Sequence, residues 1–213
     1  MKLPVEVVVV FNEPDTLERD FLQSSGLDQA TPVVIDNRTE GAGLPTLFNR
    51  HKQQSAAEWL VFCHQDFIVF EPDWIRRVVA LPPAACYGPI GRDATGRWRG
   101  QIVQTDGSLL GEPAPLAEVL GVDEVCLIVP REIYTRVDFD EGFAFDLYAH
   151  DYCLAARRLG YPTRIAQLSC QHRSKTLTGS VDSPRYLDAK QRFIAKHAGV
   201  VPLVTSTFRI PPG

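Results

Sequence analysis

The chain has 213 residues, 45% of them hydrophobic and 23% charged, and carries a net charge of −4. That size and composition suit one large globular domain spanning residues 1–213 with a core of its own. The negative balance, with no basic run, excludes the electrostatic footprint of a nucleic-acid binder.

The opening Met1-Lys2-Leu3-Pro4 leads into a short apolar run without a small-residue cleavage site, too short to span a bilayer. No later run reaches eighteen apolar residues. The expected location is therefore cytoplasmic, and peripheral membrane association stays open. Residues 5–11 are largely β-branched and predict a strand buried on both faces. Pro14 and Asp15 open a helix to about residue 23, followed by a second short buried strand over residues 32–35. Asp36-Asn37 and Gly41-x-Gly43 make the turn after it, and a helix over roughly residues 44–57 leads to a third strand at 59–63. Buried strands alternating with helices predict a βαβαβ unit with right-handed crossovers and a parallel sheet.

In such sheets, ligands bind beyond the carboxyl ends of the strands. Those ends carry Asn12-Glu13, Asp36-Asn37 and His64-Gln65-Asp66. His64 and Asp66 stand two residues apart, hence on one side of an extended chain, a pairing of imidazole and carboxylate that suits a divalent metal. Beyond Asp66 the pattern predicts a short helix at 73–80, then Gly- and Pro-rich chain over 82–121 with strands near 86–90, 99–104 and 108–110. A strand at 124–129 and a brief helix at 130–137 follow. Asp146 is placed to cap a helix to residue 159 with Gly160 as its stop, residues 164–170 read as one strand, and 183–198 as a terminal helix. Of the five cysteines, Cys63, Cys126 and Cys170 fall in apolar strand-like runs, and without any Cys-x-x-Cys pair they read as buried free thiols in a reducing compartment.

His64-Gln65-Asp66-Phe67-Ile68 after an apolar strand, with Phe48-Asn49 in the preceding helix, resembles the family 2-like glycosyltransferases, nearest to the branch related to streptomycin-biosynthesis glycosyltransferase-like proteins. Phe139-Asp-Glu-Gly-Phe143, then Asp151-x-x-Leu154 and Arg157-Arg158-x-Gly160, is similar to that family's acceptor-side motif, and His172 follows a strand where many members place a metal-binding histidine. The resemblance covers about residues 5–175, and the order of its motifs is its strongest part. It implies an α/β, GT-A-type, Rossmann-like three-layer sandwich with a mostly parallel central sheet. Residues 1–70 would be the nucleotide-binding half, 71–180 the acceptor half and 181–213 a C-terminal helix and tail.

The activity so implied is inverting, metal-dependent transfer of a sugar from a nucleotide-sugar donor, uridine-linked by expectation, to a glycan, lipid-linked or small-molecule acceptor. A divalent ion, Mn²⁺ or Mg²⁺, would stabilise the diphosphate leaving group. The family's Asp-x-Asp triplet corresponds to His64-Gln65-Asp66, which makes Asp66, His172 and His64 the expected ligands, with imidazole tilting preference towards Mn²⁺. His64 could instead only hydrogen-bond a backbone carbonyl. Asn12, Asp36, Asn37, Gln65 and Asp66 are the expected nucleotide-sugar contacts, although Asn12 also suits a helix cap and Asp36 an Asx turn. Glu40, Gly41 and Gly43 would let their loop approach the donor.

Asp151 is the expected catalytic base, at the cleft-facing edge of its helix. The acid the family usually places just before it is replaced by Ala149 and His150, so His150 or Asp146 are alternatives. Arg173, Lys175 and Arg92 could pair with the diphosphate or be solvated. Asp123 could touch acceptor or sugar or equally serve a turn, and Trp98 could stack on a sugar ring or anchor a loop. Two other readings are a catalytically inactive nucleotide- or carbohydrate-binding protein of this fold, and a nucleotidyltransferase, which the lack of a Gly-rich phosphate loop disfavours. Oligomeric state leaves no mark in the sequence.

Overall fold

The structure, a computed structural model, describes residues 2–174 and 181–211. Strand β1 (Val5–Phe11) is its spine, and Val7, Val8 and Val9 are all fully buried because both faces of the strand are covered. β2 (Thr31–Asp36) and β3 (Trp59–Cys63) flank β1 and run parallel to it. The first connection is not the continuous helix expected: α1 (Pro14–Thr16) runs straight into a π-helical turn at Leu17–Phe21. The second carries α2 (Leu44–Lys52), which Pro45 opens in its first turn. β2 is also less buried than its Val-Val-Ile run suggests, since it lies at the edge of the sheet and Val34 is largely exposed.

After β3 come β4 (Phe67–Val69), α3 (Trp74–Val79), β5 (Cys86–Gly88), β6 (Ile90–Arg92), β7 (Trp98–Val103), β8 (Leu109–Glu112), β9 (Glu118–Val119), β10 (Gly121–Val122) and β11 (Cys126–Pro130). Next are α4 (Arg131–Tyr134), α5 (Tyr148–Arg158), β12 (Thr163–Ile165), β13 (Cys170–His172), α6 (Pro184–Lys196) and a small hairpin of β14 (Leu203–Val204) and β15 (Arg209–Ile210). Two expected strands are each split. Pro89, which has no N–H to give a ladder, separates β5 from β6. The 164–170 run becomes β12 and β13, which belong to different sheets.

Among the described residues the first sheet has seven strands in the order β2-β1-β3-β11-β5-β12-β9. It is mixed, which corrects the expectation of a mostly parallel sheet. β11 enters antiparallel to both β3 and β5, and β12 is parallel to β5 but antiparallel to β9. The second sheet runs β10-β6-β7-β13-β4, with β8 on β7. Alternation along the strands sends Val8, Val10, Leu60, Phe62 and Leu127 into one core with α2, α4, α5 and α6. Val7, Val9, Val61, Cys126 and Ile128 enter the other, with α3 and the second sheet. All five cysteines are buried free thiols. No helix among the described residues is long and apolar enough to cross a membrane.

Candidate active site

β3 delivers the chain to His64, whose N–H bonds the Val125 carbonyl, and a tight turn closed by the Phe67 N–H on the His64 carbonyl presents Asp66. β4 then pairs antiparallel with β13 so that Phe67 faces His172, and the Arg173 N–H bonds the Asp66 carbonyl. This pairing, across more than a hundred residues of sequence, sets His172 Nε2 3.4 Å from Asp66 Oδ1. His64, Asp66 and His172 offer ligand atoms that all lie within 4.8 Å of one another, and all three side chains are half-buried.

The protonation of His64 and Asp66 suits a metal, while His172 would give up a proton to ligate. The Tyr148 hydroxyl donates to the Glu124 carbonyl at 3.0 Å, so its contact with His64 Nε2 at 3.3 Å must be made by an Nε2–H. That leaves the Nδ1 lone pair of His64 free to ligate, with its ring held as metal-binding histidines usually are by an outer partner. Burial holds His64 below the ordinary histidine range, in the neutral, ligating form. Burial opposes ionisation of Asp66 and His172 as well, but their mutual hydrogen bond and charges win, lowering the carboxyl and raising the imidazole. Two imidazoles and one carboxylate form a mixed N,O set that fits Mn²⁺ better than Mg²⁺.

Gln65 ties the first and third strand ends together. Its Oε1 accepts the N–H groups of Asn12 and Glu13, both at 3.1 Å, and its Nε2 donates to Asn12 Oδ1 at 3.0 Å. Asn37 closes its loop on both polar groups of Ala42, at 2.9 Å each. Asp36 takes the Asx-turn role also expected of it: it forms an Asx-type bond to the Arg38 N–H and an ion pair with the Arg38 guanidinium, whose hydrogen bonds hold its carboxyl down at about 2. It lines neither cavity. Gly43 packs against Ala144, where a Cβ would lie 3.0 Å from the Ala144 Cα, so its smallness serves loop-to-loop contact. Glu40 pairs with Arg50.

Two cavities meet at this triplet. The smaller, 280 Å³, lies over the β1 end between Asn37, Gly41 and Phe145. The larger, 820 Å³, runs from Glu13 past His172 to Trp98, His150 and Ser206, a size that holds a small-molecule ligand. Asn12, His64, Gln65, Asp66 and Phe145 line both. Phe145 stacks on His64 with ring centroids 5.9 Å apart, under the Arg185 guanidinium. Phe145 and Tyr148 carry no signal in the sequence, where they read as ordinary aromatics of a core helix and the loop before it.

The expected bases divide. Asp151 is not at a cleft-facing edge. It is buried, bonded by His197 Nε2 at 2.8 Å and by Lys196 Nζ, and it lines neither cavity, because α6 packs over this side of α5. His150 does line the larger cavity, but its Nε2 accepts the Ser206 N–H at 3.0 Å, which puts the neutral ring's proton on Nδ1 and leaves no lone pair to act as a base. Burial and the nearby Arg92 charge, only partly opposed by Asp123, push its pKa down to about 4. Asp146 does not cap α5, whose N-terminus is instead Leu147 in the left-handed region at φ 66°. Its carboxylate lines the larger cavity and is held by Arg185 at 2.6 Å. Asp123 and Glu124 line it too, and burial beside those two acids raises the Glu124 carboxyl well above its usual range. Arg173 pairs with the fully buried Asp20, Arg92 stacks on Trp98, and Lys175 lies outside the described residues.

The arrangement of sheets is similar to that of solved sugar-transferring enzymes. GalNAc-T7 with UDP, GalNAc and Mn²⁺ superposes with a TM-score of 0.60 at 12% identity over 89% of this chain and 48% of that one. The mannosyltransferase PcManGT from Pyrobaculum calidifontis, in complex with GDP-Man and Mn²⁺, gives 0.65 at 12% identity over 94% and 65%. The fold is GT-A. S. aureus TarS 1–349 gives 0.55 at 10% identity over 93% of this chain and 74% of that one. The chain thus spans about half the length of GalNAc-T7 and under two-thirds of the GT-A mannosyltransferase. No protein-family model and no curated protein matches the sequence.

Proposed function

We propose that this chain is a metal-dependent glycosyltransferase that uses a nucleotide-sugar donor. The observation that carries the reading is the convergence of His64, Asp66 and His172 where two cavities join. The nucleoside, uridine by expectation, would occupy the smaller cavity among Asn12, Asn37 and Gly41, with residues 1–70 supplying most of that half. The donor sugar and the acceptor would share the larger one. His64, Asp66 and His172 would hold Mn²⁺ in preference to Mg²⁺, and the ion, once bound, would neutralise the charge gathering on the departing diphosphate.

An inverting transfer needs one group to take the acceptor hydroxyl's proton. Asp146 is the one sequence-expected base with an accepting oxygen on the larger cavity, and Arg185 fixes its orientation. Asp123, with one oxygen bonded by the Val125 N–H, would instead meet the donor sugar. The narrower likeness to the streptomycin-biosynthesis-like branch rests on the His64-Gln65-Asp66 element and the order of the motifs along the chain. The test is thermal denaturation with Mn²⁺ and uridine diphosphate: the pair raises the melting temperature, and Asp66→Ala abolishes the gain. Absence of any shift across the common nucleoside diphosphates with metal would refute donor binding.

One observation favours a second reading, a GT-A protein that binds but does not transfer: Asp151 is locked by Lys196 and His197, and His150 has spent its lone pair. Nucleotide binding without donor hydrolysis, insensitive to Asp146→Asn, is its signature.

A further inference from the structure

Along β7, Trp98 and Ile102 fall on one side of the strand by its two-residue period, and both line the larger cavity, as does Gln104 just past its end. Leu110 of β8, in register with Ile102, lines it as well. The hairpin therefore presents an apolar strip that begins with a half-buried indole. Arg92, its cross-strand partner, lays its guanidinium 4.4 Å from the indole ring yet does not itself line the cavity. It braces the ring from outside the cavity.

The rest of that wall is rich in groups that bond hydroxyls and poor in positive charge. Ser206, Thr207 and Thr105 are neutral, and His150 contributes a buried Nδ1 without a hydrogen-bond partner. Asp123, Glu124 and Asp146 supply carboxyl groups. Arg173 is the one Arg or Lys on the cavity among the described residues, and Asp20 already engages it, as Asp66 engages the His172 imidazole. A phosphate or carboxylate on the acceptor would meet acids without a free cation to pair with.

We infer that Trp98, with Ile102 and Leu110 beside it, is the platform for an uncharged saccharide acceptor, stacking the apolar face of a sugar ring while the surrounding side chains bond its hydroxyls. This deepens the glycosyltransferase reading and rests on it. An anionic lipid acceptor is what this wall is built against.

Trp98 can be read directly, because Trp59 and Trp74 are both buried in the core. Fluorescence of the full chain is quenched with acrylamide in the presence of cellobiose, maltose, lactose or chitobiose, and in the presence of polyprenyl-phosphate vesicles. At least one disaccharide should protect the accessible tryptophan, and the vesicles should not. By calorimetry, Trp98→Ala should weaken that disaccharide about tenfold, with Trp98→Phe recovering most of the loss. Stabilisation by Mn²⁺ and uridine diphosphate is measured alongside. If the nucleotide stabilises the protein but every disaccharide fails, or only the vesicles protect, this inference falls and the glycosyltransferase reading stands. If the nucleotide fails too, both fall.

Discussion

The Tyr148 hydroxyl lies 3.3 Å from His64 Nε2 while donating its own proton to the Glu124 carbonyl, and so fixes which nitrogen of His64 is free. Tyr148 is fully buried in the core, so Tyr148→Phe keeps the packing and removes that acceptor together with the hydroxyl's bond to the Glu124 carbonyl. The variant should fold and bind Mn²⁺ on the order of tenfold more weakly, in line with losses of outer-sphere partners at other metal sites. Titration followed by the electron paramagnetic resonance of free Mn²⁺ reads the change. Unaltered affinity in a folded variant would mean that His64 is no ligand.

A second test concerns the choice of ion. His64→Asp replaces an imidazole with a hard oxygen donor and adds a negative charge beside Asp66. The ratio of Mg²⁺ to Mn²⁺ affinity should rise on the order of tenfold. A ratio that stays put would place His64 outside the coordination sphere, whatever its distance from Asp66.

Much of this site could be read in advance, for local reasons. Val5–Phe11, largely β-branched, and the wholly apolar Trp59–Cys63 announce themselves as buried strands because such runs have few other places to go, and polar residues at their ends mark the sheet's working edge. Strand direction is a different matter. Cys126–Pro130 is apolar on both faces and reads the same whichever way it runs, so nothing local told that it would enter antiparallel to β3. The nearness of His172 to Asp66 depends on β13 pairing with β4, a long-range choice that only the family resemblance anticipated. Asp151 was misplaced because its helix was read alone, whereas α6 packs over it and supplies Lys196 and His197.

His150 makes the protein sensitive to mild acid. It is buried, and with Arg92 near and Asp123 opposing, its pKa falls from the ordinary 6.5 to about 4. The unfolded chain therefore takes up this proton near pH 6.5 and the folded protein only near 4. The stability tied to the neutral ring is whole above 6.5 and is lost as pH falls through that window, by up to about 3 kcal/mol. His150→Gln, which can still accept the Ser206 N–H, should lose less stability between these limits than the parent in urea titrations at successive pH values. Parallel curves for the two proteins would show that His150 does not titrate this way.

Asp151 and Asp146 sit five residues apart on and before the same helix, and the structure gives them opposite tasks. Asp151 is enclosed with His197 and Lys196, and removing its charge leaves the buried His197 without its carboxylate and Lys196 with Asp140 alone. Asp151→Asn should cost about 3 kcal/mol and lower the melting temperature by several degrees. Asp146 pairs with the exposed Arg185 guanidinium at the cavity, an ion pair worth little to stability. Asp146→Asn should melt within a degree or two of the parent and lose about 10²- to 10⁴-fold in sugar transfer. Measured well below both melting points, transfer by the Asp151 variant should stay near the parent's rate. The reverse pattern, an inert Asp151 variant of normal stability beside an active Asp146 variant, would return the base to the helix position where the sequence first put it.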